Sequence, residues 1–143
     1  MLEQVIFYAL ERTIKQYRQF AQNTLDQAGL SITVDQWLVL NVIQQFPELG
    51  QSEIAERVFK DQASIARIIH LLVKKGYVRQ TVSQEDRRKV LRELTPSGKQ
   101  LIREVAPIVD HYRSTALKGL SESDVELLRQ TLDKIFSNCQ PSE

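Results

Sequence analysis

Residues 61–95, DQASIARIIHLLVKKGYVRQTVSQEDRRKVLRELT, are the stretch whose reading decides the fold. In its first half Ile65, Ile68, Ile69, Leu72 and Val73 fall at the i, i+3, i+4, i+7, i+8 spacing that stacks apolar side chains on one face of a helix. Asp61 offers the carboxylate of an N-cap, accepting from the free amide of Ala63 or Ser64, and Gly76 supplies the left-handed residue that closes such a helix. After Gly76 the helical spacing gives way to alternation, so residues 77–82 and 90–94 read as two short strands joined by the polar tip SQEDRRK.

The face of this helix opposite the apolar one carries Ala63, Ala66, Arg67, His70 and Lys74. Two small residues permit close approach, and three longer ones can reach phosphates or base edges in a major groove. Gln62, Ser64 and Arg67, near the helix start, are the candidates for base or phosphate contact. The hairpin tip adds Arg87, Arg88 and Lys89. A basic helix beside a basic hairpin is how a winged helix presents itself, with the helix in one groove and the wing toward the neighbouring minor groove. Each feature also has a plainer reading, because basic tips are often solvated loops and a terminal lysine complements the helix dipole. The distribution of charge favours the first. Residues 57–92 hold ten Lys or Arg against three Asp or Glu, a local charge of +7, whereas the remainder sums to −6.

IAERVFKDQASIARIIHLLVKKGYV followed by EDRRKVLRELTPSG resembles the MarR family of bacterial winged helix-turn-helix repressors. The wing signature of that family is Asp-x-Arg, a strand, Leu-Thr and a Gly three residues on, matched by Asp86, Arg88, Leu94, Thr95 and Gly98. The resemblance implies that Arg88 enters the minor groove and that Asp86 braces the wing. It extends to ITVDQWLVL upstream and to the order of helices over nearly the whole chain. The chain departs from the pattern at His70 and Leu71, where the family often has an acidic residue and an Arg, and at Gly50, where it often has Thr or Ser. The first change alters base preference or local ion pairing; the second weakens a cap only slightly, since Gly is tolerated there.

The remaining segments frame this motif. Residues 2–28 keep helical spacing of apolar side chains up to Gly29. Thr33 and Gln36 form a capping box for a helix that stops before Pro47, and residues 51–58 form the first helix of the helix-turn-helix. Thr95 and Pro96 start a long helix in which Pro107 is expected to introduce a kink. Ser121 and Asp124 cap the last helix, where Val125, Leu128, Leu132, Ile135, Phe136 and Cys139 line one face. The expected architecture is mainly α with a small β-hairpin wing: an N-terminal dimerisation helix (1–30), a winged helix-turn-helix (31–95) and C-terminal dimerisation helices (96–143). One-sided helices at both ends are most simply explained by a two-fold homodimer, as the resemblance also implies.

Function is bounded by exclusion as well. His70 and His111 are far apart, neither sits in a recognisable catalytic or metal constellation, and no phosphate-cradling Gly loop occurs, so neither an enzyme nor a cofactor is expected. The lack of a signal-peptide pattern or a membrane-length apolar run, together with a single Cys, points to the cytoplasm. The leading expectation is a homodimer that binds double-stranded DNA at a pseudo-palindrome and regulates transcription, repression being the family default. A winged helix that binds a protein instead is the alternative. The resemblance also leaves room for a small aromatic or phenolic effector in a cleft that Tyr17, Phe20, Trp37, His111 and Tyr112 could line, although each of these reads as easily as core and Trp37 more simply so. Cys139, on the apolar stripe of the last helix, reads as a buried structural thiol.

Overall fold

Capping chemistry sets most of the element boundaries in the computed structural model, which describes residues 1–142. A short 3-10 turn (Leu2–Gln4) precedes α1 (Ile6–Gln27), α2 (Val34–Gln45), α3 (Gln51–Arg57) and α4 (Gln62–Lys74). Strands β1 (Val78–Val82) and β2 (Val90–Leu94) follow, then α5 (Pro96–Ala116) and α6 (Glu122–Asn138). The Thr33/Gln36 and Ser121/Asp124 capping boxes both form, and the Thr95 hydroxyl accepts from Gly98 N with Pro96 in the first helical position. The first segment is not one helix from residue 2. Val5 is extended (φ −80°, ψ 119°) and separates the 3-10 turn from α1, because the apolar residues here, Leu2, Val5, Ile6 and Phe7, are exposed and nothing packs on them to favour continuity.

Three helices end in the same Schellman arrangement. At the end of α1, Gly29 N donates to Asp26 O and Leu30 N to Leu25 O; at the end of α4, Gly76 N donates to Val73 O and Tyr77 N to Leu72 O. At the end of α3, Phe59 N donates to Glu56 O and Lys60 N to Ala55 O. The residue at the left-handed position is Gly29 (φ 77°), Gly76 (φ 82°) and, in the third case, Phe59 (φ 61°). For a residue with a Cβ this conformation costs on the order of 1–2 kcal/mol.

One apolar cluster joins the elements. Ala21 and Leu25 of α1, Val39, Leu40 and Ile43 of α2, Ile54 of α3, and Ile65, Ile69 and Leu72 of α4 are buried together with Val78, Leu94 and the α5 residues Val105, Val109 and Tyr112. Burial of each large side chain contributes about 1.5–3 kcal/mol relative to exposure. The inner face of α4 is therefore anchored as its spacing predicts, with Ile68 and Val73 at the margin. Helix α6 has no buried residue, and Leu127, Leu128, Leu132 and Phe136 are exposed along it. Cys139, expected to be buried, is exposed: it is the C-cap of a helix in which no residue is buried and only Val125 and Ile135 of the stripe are partly covered.

The hairpin is antiparallel, with Val78 opposite Leu94 and Val82 opposite Val90. On the face that buries Val78 and Leu94, Arg92 is also buried and donates from Nε to Gln80 Oε1, its cross-strand partner, at 3.0 Å. Desolvation lowers the pKa of that guanidinium from its ordinary value.

The wing, α4 and α5 meet at a single joint. Thr95 N donates to Tyr77 O, the Thr95 hydroxyl donates to Gly76 O, and Gly98 sits so close that a Cβ would overlap the Tyr77 carbonyl. Because that neighbour is backbone, nothing flexible can yield. Gly98→Ala is expected to destabilise the chain by about 2–3 kcal/mol, as overpacking does. Urea unfolding checks this: a lower midpoint at unchanged slope is the expected result.

Candidate nucleic-acid interface

Burial of Ile65, Ile69 and Leu72 fixes which face of α4 meets solvent: Gln62, Ala63, Arg67, His70 and Lys74 are exposed, with Ser64 and Ala66 partly so. The start of the helix is a wired unit. Asp61 Oδ1 accepts from Ser64 N at 2.7 Å, Asp61 Oδ2 accepts from the Ser64 hydroxyl at 3.0 Å, and Ser64 Oγ accepts from Arg67 Nη2 at 3.2 Å. The N-cap thus reaches through Ser64 to hold Arg67 at the head of the outer face. The hydrogen bonds from Ser64, the backbone one foremost, keep the Asp61 carboxyl below its ordinary pKa.

A second wired unit closes the wing. Asp86 N donates to Ser83 Oγ at 3.2 Å, Ser83 N to Lys89 O at 2.9 Å, and Lys89 N to Asp86 O at 2.9 Å. Asp86 Oδ1 accepts from both the backbone N and the Nε of Arg88, each at 3.1 Å. The Arg88 side chain is nonetheless 91% exposed, so the contact orients the guanidinium without sequestering it. Its hydrogen bond is the main reason the Asp86 pKa lies below the ordinary value. Arg87 and Lys89 are exposed on either side.

Ion pairs that no sequence spacing revealed tie this lobe to α1. Asp35, in the first turn of α2, accepts from Arg18 Nη2 at 2.8 Å and pairs with Lys60 Nζ at 3.1 Å. Arg18 belongs to α1 and Lys60 to the turn before α4, so one carboxylate bridges both. Together with Ser64, Arg67, Ile68 and Leu71, Asp35 and Lys60 line a shallow cavity of about 260 Å³.

The five aromatic and His residues proposed for a cleft are dispersed. Tyr17 and Phe20 line a largely apolar cavity of about 480 Å³ with Arg12, Thr13, Gln16 and Ala116. Tyr112 is buried behind it, with its ring edge-to-face against Tyr17 at 5.9 Å, and burial pushes its phenol pKa up. Trp37 is buried in the core, and His111 is exposed and absent from the lining. Arg12 was not anticipated, since a lone Arg on an amphipathic helix gives no signal in sequence. Among the described residues no group of three or more His, Cys, Asp or Glu is arranged to hold a metal ion, and no helix is long and apolar enough to cross a membrane.

An anchored helix with a polar outer face, followed by a basic hairpin and preceded by a short helix and tight turn, defines the winged helix-turn-helix class. Residues 28–89 match the family model described as MarR family. The whole chain is similar in fold to CouR from Rhodococcus jostii bound to p-coumaroyl-CoA, with 24% identity, a TM-score of 0.83, and 100% of this chain and 99% of that one covered. It is also similar to MepR of S. aureus in complex with DNA, at 25% identity and TM-score 0.81, covering 96% of this chain and 99% of that one. BpsR of Bordetella bronchiseptica, whose DNA binding is regulated by 6-hydroxynicotinic acid, matches at 23% identity and TM-score 0.79, with 91% and 97% covered.

Each of the two depressed carboxylates makes a contribution to stability that depends on pH and is small at an exposed site. The unfolded chain binds their protons more tightly, so their contribution is fully present above the ordinary carboxylate pKa and is lost as pH falls through the lower folded values. Asp61→Asn keeps a good N-cap without the titration. Its stability, measured by urea unfolding between pH 6 and about pH 3, is expected to decline less steeply than that of the wild type.

Proposed function

We propose that this protein is a homodimeric transcriptional repressor that binds a pseudo-palindromic duplex operator and is released by a small aromatic effector. The observation that carries the reading is the paired wiring of Arg67 and Arg88, each exposed and each oriented by a network that starts from a carboxylate of its own element. Guanidinium groups held in place lose less freedom on binding, and they suit bidentate contacts to guanine edges or phosphates. Gln62, Ala63, Ser64, Arg67, His70 and Lys74 would face the major groove. Arg87, Arg88 and Lys89 would approach the adjacent minor groove, where a narrow A·T-rich segment concentrates negative potential. MepR, solved with DNA, supports the reading by analogy of fold.

The dimer is supported by the apolar surface left on the terminal elements. Leu2, Ile6 and Phe7 at one end and Leu127, Leu128, Leu132 and Phe136 at the other are exposed, and a helix with an apolar stripe of this length needs a partner surface. On this reading residues 1–30 and 96–143 form the dimerisation part and 31–95 the DNA-binding part. Paired changes Leu128→Asp and Leu132→Asp are expected to shift the protein from dimer to monomer in sedimentation equilibrium; an unchanged mass would place the interface elsewhere.

The effector reading draws on the Tyr17 and Phe20 cavity, whose apolar walls suit a ring and whose Arg12 suits a carboxylate or other anion. The relatives solved with p-coumaroyl-CoA and regulated by 6-hydroxynicotinic acid bind ligands of that general kind.

Selection of duplexes from a random pool tests the DNA-binding reading. The wild type is expected to enrich a palindromic consensus, and Arg67→Ala and Arg88→Ala to bind that duplex about 5- to 100-fold more weakly, in line with 1–3 kcal/mol for a specific contact. No enrichment by a folded dimer would turn the reading toward a protein partner.

A further inference from the structure

Phe59 is anomalous on two counts that share one residue. It holds the left-handed position of the turn between α3 and α4 (φ 61°), where the equivalent caps of α1 and α4 use Gly29 and Gly76. The residue is also 85% exposed, so the strain is not offset by burial within the chain. A bulky aromatic in this conformation, without intramolecular packing to hold it there, calls for a role outside the fold.

The surroundings specify that role. Phe59 lies three residues before Gln62, the first residue of α4, and its chain neighbours include Arg57 and Lys60. Lys60 is held by Asp35, and the Arg57 guanidinium lies 4.0 Å from the centroid of Phe46. The exposed ring belongs to the segment 57–92, whose local charge of +7 is poorly suited to an apolar protein surface. It is well suited to a polyanion that also offers apolar groups, and duplex DNA does so through its deoxyribose edges and thymine methyls.

We propose, on the DNA-binding reading above, that Phe59 is a further DNA-contact residue, packing its ring on the apolar wall of the major groove just ahead of α4. The left-handed backbone is what projects the ring outward from the turn. The contact contributes affinity without neutralising a phosphate, which separates it from the contributions of Arg67, Arg88 and Lys74.

The test compares wild type, Phe59→Gly, Phe59→Asn and Arg88→Ala by thermal unfolding and by titration of the duplex selected by the wild type, over a range of salt. Gly and Asn both accept the left-handed conformation, and Asn retains a polar side chain there. Both variants are expected to unfold at a temperature equal to or a few degrees above the wild type, yet to bind about 5- to 20-fold more weakly, with the slope of log K against log salt unchanged. Arg88→Ala is expected to reduce that slope by roughly 1. Affinity within twofold of the wild type for both Phe59 variants would overturn the proposal, and so would a fall in affinity accompanied by a fall in unfolding temperature, which would make the ring a packing residue. Failure of the wild type itself to bind any duplex would instead overturn the DNA-binding reading and this contact with it.

Discussion

The close approach of Gly98 to the Tyr77 carbonyl is the constraint on which the rest of the architecture depends. Three elements converge there: the end of α4 at Gly76, the start of β1 after Tyr77, and the start of α5 at Thr95. Thr95 serves all three, donating to Tyr77 O from its backbone, donating to Gly76 O from its hydroxyl, and capping α5 by accepting from Gly98 N. The wing is thereby fixed relative to the helix it flanks, and α5 leaves the lobe in one direction only. A side chain at residue 98 would push the hairpin off α5, and the relation between Arg67 on α4 and Arg88 on the wing would change with it.

From this joint outward the molecule divides its labour by burial. The inner face of α4 is committed to the core, so its outer face has to be presented, and presentation is made specific by short polar relays: Asp61 to Ser64 to Arg67, and Asp86 to Arg88. Neither relay adds much stability at an exposed site. What each adds is orientation, which lowers the entropy lost when a guanidinium meets a fixed partner. The Arg18–Asp35–Lys60 bridge works at longer range, coupling α1 to the turn that precedes α4. The Tyr17 cavity lies on the same α1, on the lining that includes Arg12 and Phe20.

Legibility in the sequence followed the range of the interaction. Caps and periodicity are local, so Asp61, Thr33 with Gln36, Thr95 with Pro96 and the two strands could be read directly, and the buried face of α4 came out with Ile65, Ile69 and Leu72 inside. What involved residues far apart could not be read. Nothing in the spacing pairs Asp35 with Arg18 and Lys60, and Arg92 on the inner face of β2 breaks the alternation that would have predicted an apolar residue. Which aromatics share a wall depends on how α1 and α5 pack: Tyr17 and Phe20 line one cavity, while Tyr112 is buried and His111 is exposed outside its lining. Cys139 was misread because an apolar stripe predicts burial only where a partner surface covers it, and no residue of α6 is buried within the chain.

In the proposed function two copies of one lobe, each presenting α4 and a wing, read a duplex across a two-fold axis. Hydroxyl-radical and methylation footprinting of the selected duplex measures that geometry most directly. A symmetric pattern is expected, with two major-groove windows about one helical turn, ~34 Å, apart, each flanked by a protected minor groove that loses its protection in Arg88→Ala. A single asymmetric footprint, or wing protection that persists without Arg88, would contradict it.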